Sequence, residues 1–259
     1  DTGAMSLYYS GGRSSISPSI DAPAEYTSIP SGWLERDHLE PFTKLDIDIA
    51  LGDVTVQSGD DFGLWLSWDG GGYDLNYTQE EDGTLRVYSR SKGPSPLGVT
   101  ASATIYVPQQ TALAELEIHN SLGDVDLQDL SVEKLTVECS LGDLYLWDSV
   151  LGEGSLVNNM GVIYASGLTV TKRLDVDDDM GDVTLEGDLQ GDIDVDANMG
   201  EVTLRLSQGE ERYDYELETS MGEVYVNGEN RHSSASRSGG SYSLDVEDDM
   251  GDIWVDFNC

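Results

Sequence analysis

Four aspartates, Asp175, Asp177, Asp194 and Asp196, form two matched pairs nineteen residues apart. Brought together on one surface, they would offer the several hard oxygen ligands that Ca²⁺ takes. Asp175, Asp177 and Asp179 also share the opening spacing of a calcium loop, although Met180 stands where such a loop needs glycine. The competing reading is a solvated acidic face that keeps the chain soluble. A second set is aromatic: Tyr145, Tyr164, Tyr225 and Trp254 recur at one equivalent position. Exposed aromatic pairs bind sugar rings or peptide, whereas ladders of β-favouring side chains are the plainer account.

Enzymatic chemistry is harder to place. Some β-helices cleave polysaccharides with paired carboxylates, but here carboxylates are so frequent that no pair stands out. His38, His119 and His232 are far apart in sequence. There is no phosphate loop, nucleophile elbow or zinc-ligand spacing. The expectation is a protein that binds rather than catalyses, with no catalytic residues and no cofactor other than calcium.

These residues are positioned by a repeat. Eight glycines mark it: Gly52, Gly123, Gly142, Gly161, Gly181, Gly200, Gly222 and Gly251, at spacings of 71, 19, 19, 20, 19, 22 and 29 residues. A period near twenty implies units that cannot bury an apolar face without stacked neighbours. Five residues before each glycine, and again two and four residues after it, every residue is aliphatic, as in Val176, Val183 and Leu185. Alternation with period two places these residues on one face of short strands. The glycine supplies positive φ at the turn between them. Just before it come Leu51, Leu122, Leu141, Met160, Met180, Met199, Met221 and Met250. Flexible thioethers suit irregular packing at a core corner, so this column is expected to be buried. Just after the glycine, seven of eight residues are acidic, Val162 being the exception. Stacked like charges repel, and each carboxylate is expected to find relief in backbone N–H groups of its own turn.

The predicted fold is all-β: a single-stranded parallel β-solenoid, right-handed by default. An antiparallel sandwich of hairpins is the alternative, because strand–turn–strand units read the same way. Residues 1–41 are rich in Ser, Gly and Pro and read as an extended lead. The solenoid takes 42–259. Its irregular part, 57–111, consists of less regular rungs or an antiparallel flap over the open edge; the regular repeats fill 112–259. The polar stretch Asn227 to Ser243 reads as a mobile loop.

The order of these units carries a family resemblance. A first unit LDIDIALGDVTVQSGDDF leads to a strand ending TIYVP, then a run of M/L-G-D/E-V units, then a loop and a final GDIWVDF. Over residues 42 to 259 this resembles a bacterial β-solenoid family of candidate adhesins, a domain family of unknown function. The resemblance implies an exported or membrane-tethered envelope protein, and some members are encoded with envelope-stress regulators. It implies no catalytic residues. The expected role is therefore a cell-surface scaffold that meets a protein or glycan partner; an extracytoplasmic sensor domain is the alternative, and a carbohydrate-active enzyme a distant third.

Charge narrows the partners. With 13 basic and 50 acidic residues, the net charge is −37. Nucleic acid binding needs a basic surface, and anionic lipid is disfavoured for the same reason. No stretch is long and apolar enough to span a bilayer. The first residue is Asp1, which fits loss of an export signal or anchor. Two cysteines, Cys139 and Cys259, are expected to be a buried free thiol and a terminal one.

Overall fold

The computed structural model of the protein describes residues 31–69, 72–91 and 98–258. Most of the extended lead expected over 1–41 lies outside these residues, as does Cys259. Among the described residues the fold is all-β, apart from one 3-10 turn at Glu210–Arg212. It is solenoid-like, and its strands form one large mixed sheet.

The two strands flanking each turn glycine do not pair with each other. They pair in parallel with the equivalent strands of neighbouring repeats. Val125 lies opposite Val54 on one side and Leu144 on the other. Val183 lies opposite Ile163 and Val202. The hairpin alternative is thereby corrected: the hydrophobic pattern sets a register between repeats, not within one. All aliphatic residues of the three columns are buried, from Ile47 and Val54 at one end to Ile253 and Val255 at the other. A fourth buried row, Leu113, Val132, Leu151, Val170 and Leu189, stacks in the same way.

Spatial order differs from sequence order at both ends. The first repeat strand, Lys44–Ile49, lies between Glu115–Asn120 and Thr84–Ser91. Its partner, Asp53–Gly59, lies between Val125–Gln128 and Thr100–Pro108. Thr84–Ser91 and Thr100–Pro108 therefore form a rung outside the first repeat. Antiparallel strands close that rung: Tyr73–Gln79 on one side, and Gly63–Asp69 followed by Gly32–Arg36 on the other. At the far end the last repeat inserts in the same manner. Tyr242–Met250 sits between Asp192–Met199 and Tyr213–Thr219, and Ile253–Phe257 between Val202–Leu206 and Val224–Val226. The stretch expected as a mobile loop instead supplies Glu229–Asn230 and Ser234–Arg237, which cap this end antiparallel. Open sheet edges invite pairing with other chains, and such caps remove them. The sheet is thus mixed, parallel along its length and antiparallel at its ends, where the expected flap over the open edge is found.

The turn glycines do more than supply positive φ. Gly52, Gly123, Gly142, Gly161 and Gly200 have φ between +133° and +148°, but Gly181, Gly222 and Gly251 have no positive φ. What the column shares is close backbone approach. A Cβ on Gly142 would overlap the carbonyl of Gly123, one on Gly251 that of Gly200, and one on Gly222 that of Gly251. The contacts repeat the order seen in the strands, with the last repeat lying before the seventh.

Of the residues before the glycines only Leu51 packs against the core, partly buried; the other seven overturn that expectation. Leu122, Leu141, Met160, Met180, Met199, Met221 and Met250 are all exposed, from 38% at Met180 to 65% at Met221. Alternation holds only while the strand lasts. Most first strands end three residues before the glycine, at Asn120, Cys139, Asn158 or Asp178, and the turn then carries the next side chains outward.

Gly161→Ala tests the close approach. It should lower stability by about 3 kcal/mol, because the backbone of the adjoining rung cannot retreat without breaking ladder hydrogen bonds. Urea unfolding followed by far-UV circular dichroism measures it; a loss below about 0.5 kcal/mol would contradict the packing.

Candidate functional site

The acidic face lies on the strands that precede the turns. Alternation turns Asp175 and Asp177 outward beside Asp194 and Asp196, with Asp175 opposite Asp194 and Asp177 opposite Asp196. The inserted last repeat extends this patch. Asp194 and Asp196 lie opposite Asp245 and Glu247, which in turn lie opposite Glu216 and Glu218. Eight carboxylates thus form two rows across four adjoining strands. Sequence reasoning singled out only four, although Glu216, Glu218, Asp245 and Glu247 occupy the same outward positions of their repeats. Burial, then the charges of Asp177 and Asp194, raises the pKa of Asp196. Burial and Asp194 raise Asp245 likewise, and Asp245 with partial burial raises Glu247. At one corner of the patch the Arg173 guanidinium is bound to Asp175.

The arrangement is an open patch of side-by-side carboxylates. Among the described residues, no three His, Cys, Asp or Glu side chains converge as ion ligands. Outward side chains on parallel strands run side by side, whereas Ca²⁺ needs oxygens that surround it. A shallow groove of about 260 Å³ runs over Asp175, Asp177, Asp194 and Asp196.

The carboxylates after the glycines are relieved differently from the expectation. Five of the seven reach the neighbouring rung, not their own turn, whereas Glu201 and Glu223 accept the hydroxyls of Thr203 and Tyr225. Asp53 accepts the backbone N–H of Asp124 at 3.1 Å, Asp124 that of Asp143 at 2.9 Å, and Asp143 that of Val162 at 2.9 Å. Asp182 serves Glu201, and Asp252 serves Glu223. Val162 breaks the acidic column but still donates to it. Charge-assisted hydrogen bonds of this type are stronger than neutral ones, so the column strengthens the stack despite its repulsion.

The aromatic residues gather into two clusters. Tyr145 lies opposite Tyr164. Trp147 joins them, its ring 6.2 Å from Tyr145 and 5.2 Å from Tyr164. Trp147 was missed by sequence reasoning, although it sits two residues beyond Tyr145 on the same outward alternation. Tyr225 and Trp254 stack face to face, 3.8 Å apart and nearly parallel. Each of these rings therefore has one face covered by the other. Thr184 and Thr203 lie between the clusters. The Tyr145 hydroxyl donates to Asp143, and that bond raises its pKa. The histidines do not meet: His119 lies between Glu117 and Glu138, and His38 lies against Asp61.

Under the acidic turns runs a buried polar column that includes Asn120, Asn158, Asp178, Asp248 and Thr219. Asn120 donates to the carbonyls of Gly52 and Gly123, and Thr219 to that of Gly251. Asp178 has no hydrogen-bond partner for either oxygen, and neither does its ladder neighbour Asn158 for its amide. Burial, reinforced by Asp179, Asp177 and Asp182, pushes Asp178 up to about 7. Burial likewise raises Asp248 to about 6, against the backbone N–H of Met250. Nearby in the same column, burial and Asp124 push the free Cys139 thiol up to about 12, which makes it inert as a nucleophile.

Comparison with known families decides the affiliation. The family model described as Toastrack DUF4097 matches residues 42–188, more than half of the chain. The chain belongs to the Toastrack DUF4097 family. The match starts at the first repeat and stops before Gly200, so the last three repeats continue the Toastrack columns beyond it. No curated protein matches the chain. Solved structures with a similar fold include a candidate cell adhesion protein from Clostridium sporogenes ATCC 15579, at 14% identity and TM-score 0.38, covering 88% of this chain and 99% of that one. A candidate adhesin from Bacteroides fragilis NCTC 9343 has 15% identity and TM-score 0.34, over 90% and 98%. A candidate lipid-binding protein from Parabacteroides distasonis ATCC 8503 has 14% identity and TM-score 0.43, over 88% and 96%.

Asp178 makes stability depend on pH. Its folded pKa, about 7, lies above the ordinary value of 3.8. Its contribution is full below pH 4 and is lost as pH rises through 7. Asp178→Asn, which copies Asn120 and Asn158, should remove that slope and stabilise the protein at pH 8 by about 3 kcal/mol. Thermal melts of both proteins at pH 4, 6 and 8 check the sign: the variant should gain only at the higher values.

Proposed function

We propose that this Toastrack protein is a non-enzymatic binding scaffold, exported and held at the cell envelope or surface, that presents an acidic solenoid face to a protein or glycan partner. The observation that carries this reading is the pair of carboxylate rows, Asp175 to Glu218, held in register by four adjoining strands. The finer view of the fold as a single-stranded parallel solenoid belongs to the same proposal. It is supported by repeat-to-repeat ladders such as Val183 with Val202. A face of this kind costs repulsion in every copy folded, and a cationic partner would offset that cost. Complementary charge also speeds encounter and excludes acidic competitors. The aromatic clusters at Tyr145, Trp147 and Tyr164, and at Tyr225 and Trp254, add flat apolar contact on the neighbouring face. Location at the envelope rests on the family resemblance.

A panel of immobilised surface proteins and glycans, read by surface plasmon resonance, tests the proposal. For any partner found, the variant Asp194→Asn, Asp196→Asn, Asp245→Asn, Glu247→Gln should bind about tenfold more weakly at 0.15 M salt and show a shallower salt dependence. Its melting temperature should equal or exceed the parent's. Undiminished binding by this variant would remove the acidic face from the function.

A further inference from the structure

The exposed residues before the turn glycines form one continuous line. Backbone hydrogen bonds join neighbouring turns in the order Leu122, Leu141, Met160, Met180, Met199 and Met250: Gly123 donates to the Leu141 carbonyl, Gly142 to Met160, Gly161 to Met180, Gly181 to Met199 and Gly200 to Met250. Met221 follows in the rung beyond, whose glycine abuts Gly251. All seven side chains stand in solvent. Seven rungs at strand spacing make an apolar ridge about 29 Å long. A soluble monomer seldom exposes a contiguous apolar strip without a use for it.

Both margins of the ridge are polar or acidic, except at Val162. On one side run Asp124, Asp143, Asp182, Glu201, Asp252 and Glu223; on the other, Asp179 and Asp249 interrupt Ser and Asn. From two residues before each turn glycine to one after it, no Lys or Arg occurs in any of the eight repeats. We propose that this ridge is the docking surface for a cationic amphipathic helix, whose apolar face lies on the leucines and methionines while its lysines or arginines meet the flanking carboxylates. The ridge's length equals that of about 19 helical residues. Unbranched methionine side chains repack readily, which suits a surface that must fit a helix of varied sequence. A second copy of this chain is a poor occupant, because it would bring like acidic margins together at a net charge of −37 each. Anionic lipid is repelled for the same reason. The ridge lies on the turns and the acidic face on the strands before them, so this inference stands apart from the proposed function.

A helical Leu/Lys peptide of about 18 residues provides the probe, with a scramble of the same composition that cannot segregate its faces. Isothermal titration calorimetry should show the amphipathic peptide binding at least about tenfold tighter than the scramble. Methyl resonances of ¹³C-methionine should shift at Met160, Met180, Met199, Met221 and Met250. The variant Met160→Gln, Met180→Gln, Met199→Gln should lose about tenfold in affinity at an unchanged melting temperature. Equal binding of the two peptides would reduce the effect to bulk charge and overturn the proposal. So would full affinity in the variant, dimerisation that shields the ridge methyls, or a preference for phosphatidylcholine–phosphatidylglycerol vesicles over the peptide.

Discussion

The structure depends on one contact: the carbonyl oxygen of each turn glycine lies where the Cβ of the next would stand. Ladder hydrogen bonds alone fix the spacing of strands, but the turns must close to that same spacing or the stack would splay. Only glycine permits the approach. Once it is made, three aliphatic columns close into a dry interior, each buried Val or Leu contributing about 1.5–3 kcal/mol relative to exposure. The same approach drives the residue before the glycine outward, and brings the residue after it within reach of the next backbone N–H.

The ends are settled by intercalation. Both terminal repeats lie one rung in from the end of the stack, and the rung outside each comes from a chain segment nearer the middle of the sequence. Each terminal repeat is therefore bonded on both sides, and antiparallel strands cover what remains. A simple sequential stack would leave its first and last repeats as open edges. Long-range pairings of this kind raise the entropic barrier to folding but tie both ends into the body.

Charge is handled in layers. The repulsion among the aspartates after the turns is offset in part, because Asp53, Asp124, Asp143, Asp182 and Asp252 each accept a backbone N–H of the adjoining rung. Below them, Asp178 and Asp248 hold their protons more tightly than usual because water cannot reach them. The rows from Asp175 to Glu218 have no such relief, apart from Arg173 at one corner. Unrelieved charge and exposed apolar surface are where this molecule departs from the most stable sequence for its fold, and such departures mark its candidate binding surfaces.

Much of this was legible in the sequence. The columns through Val176, Val183 and Leu185 set strand positions and register, because period-two alternation has a single solution when one face must be dry. The outward aspartates and aromatics followed from the same alternation. It failed where the strand stopped: Met160 and Met180 fit the periodic pattern but belong to the turn, whose direction comes from backbone contact with the next rung. Nor could spacing reveal that the final repeat lies between Asp192–Leu206 and Tyr213–Val226, since equivalent repeats carry nearly interchangeable faces and any order satisfies their ladders. Local pattern determined what each repeat is; only the packing of caps and ends decided where each one goes, and hence which carboxylates share a face.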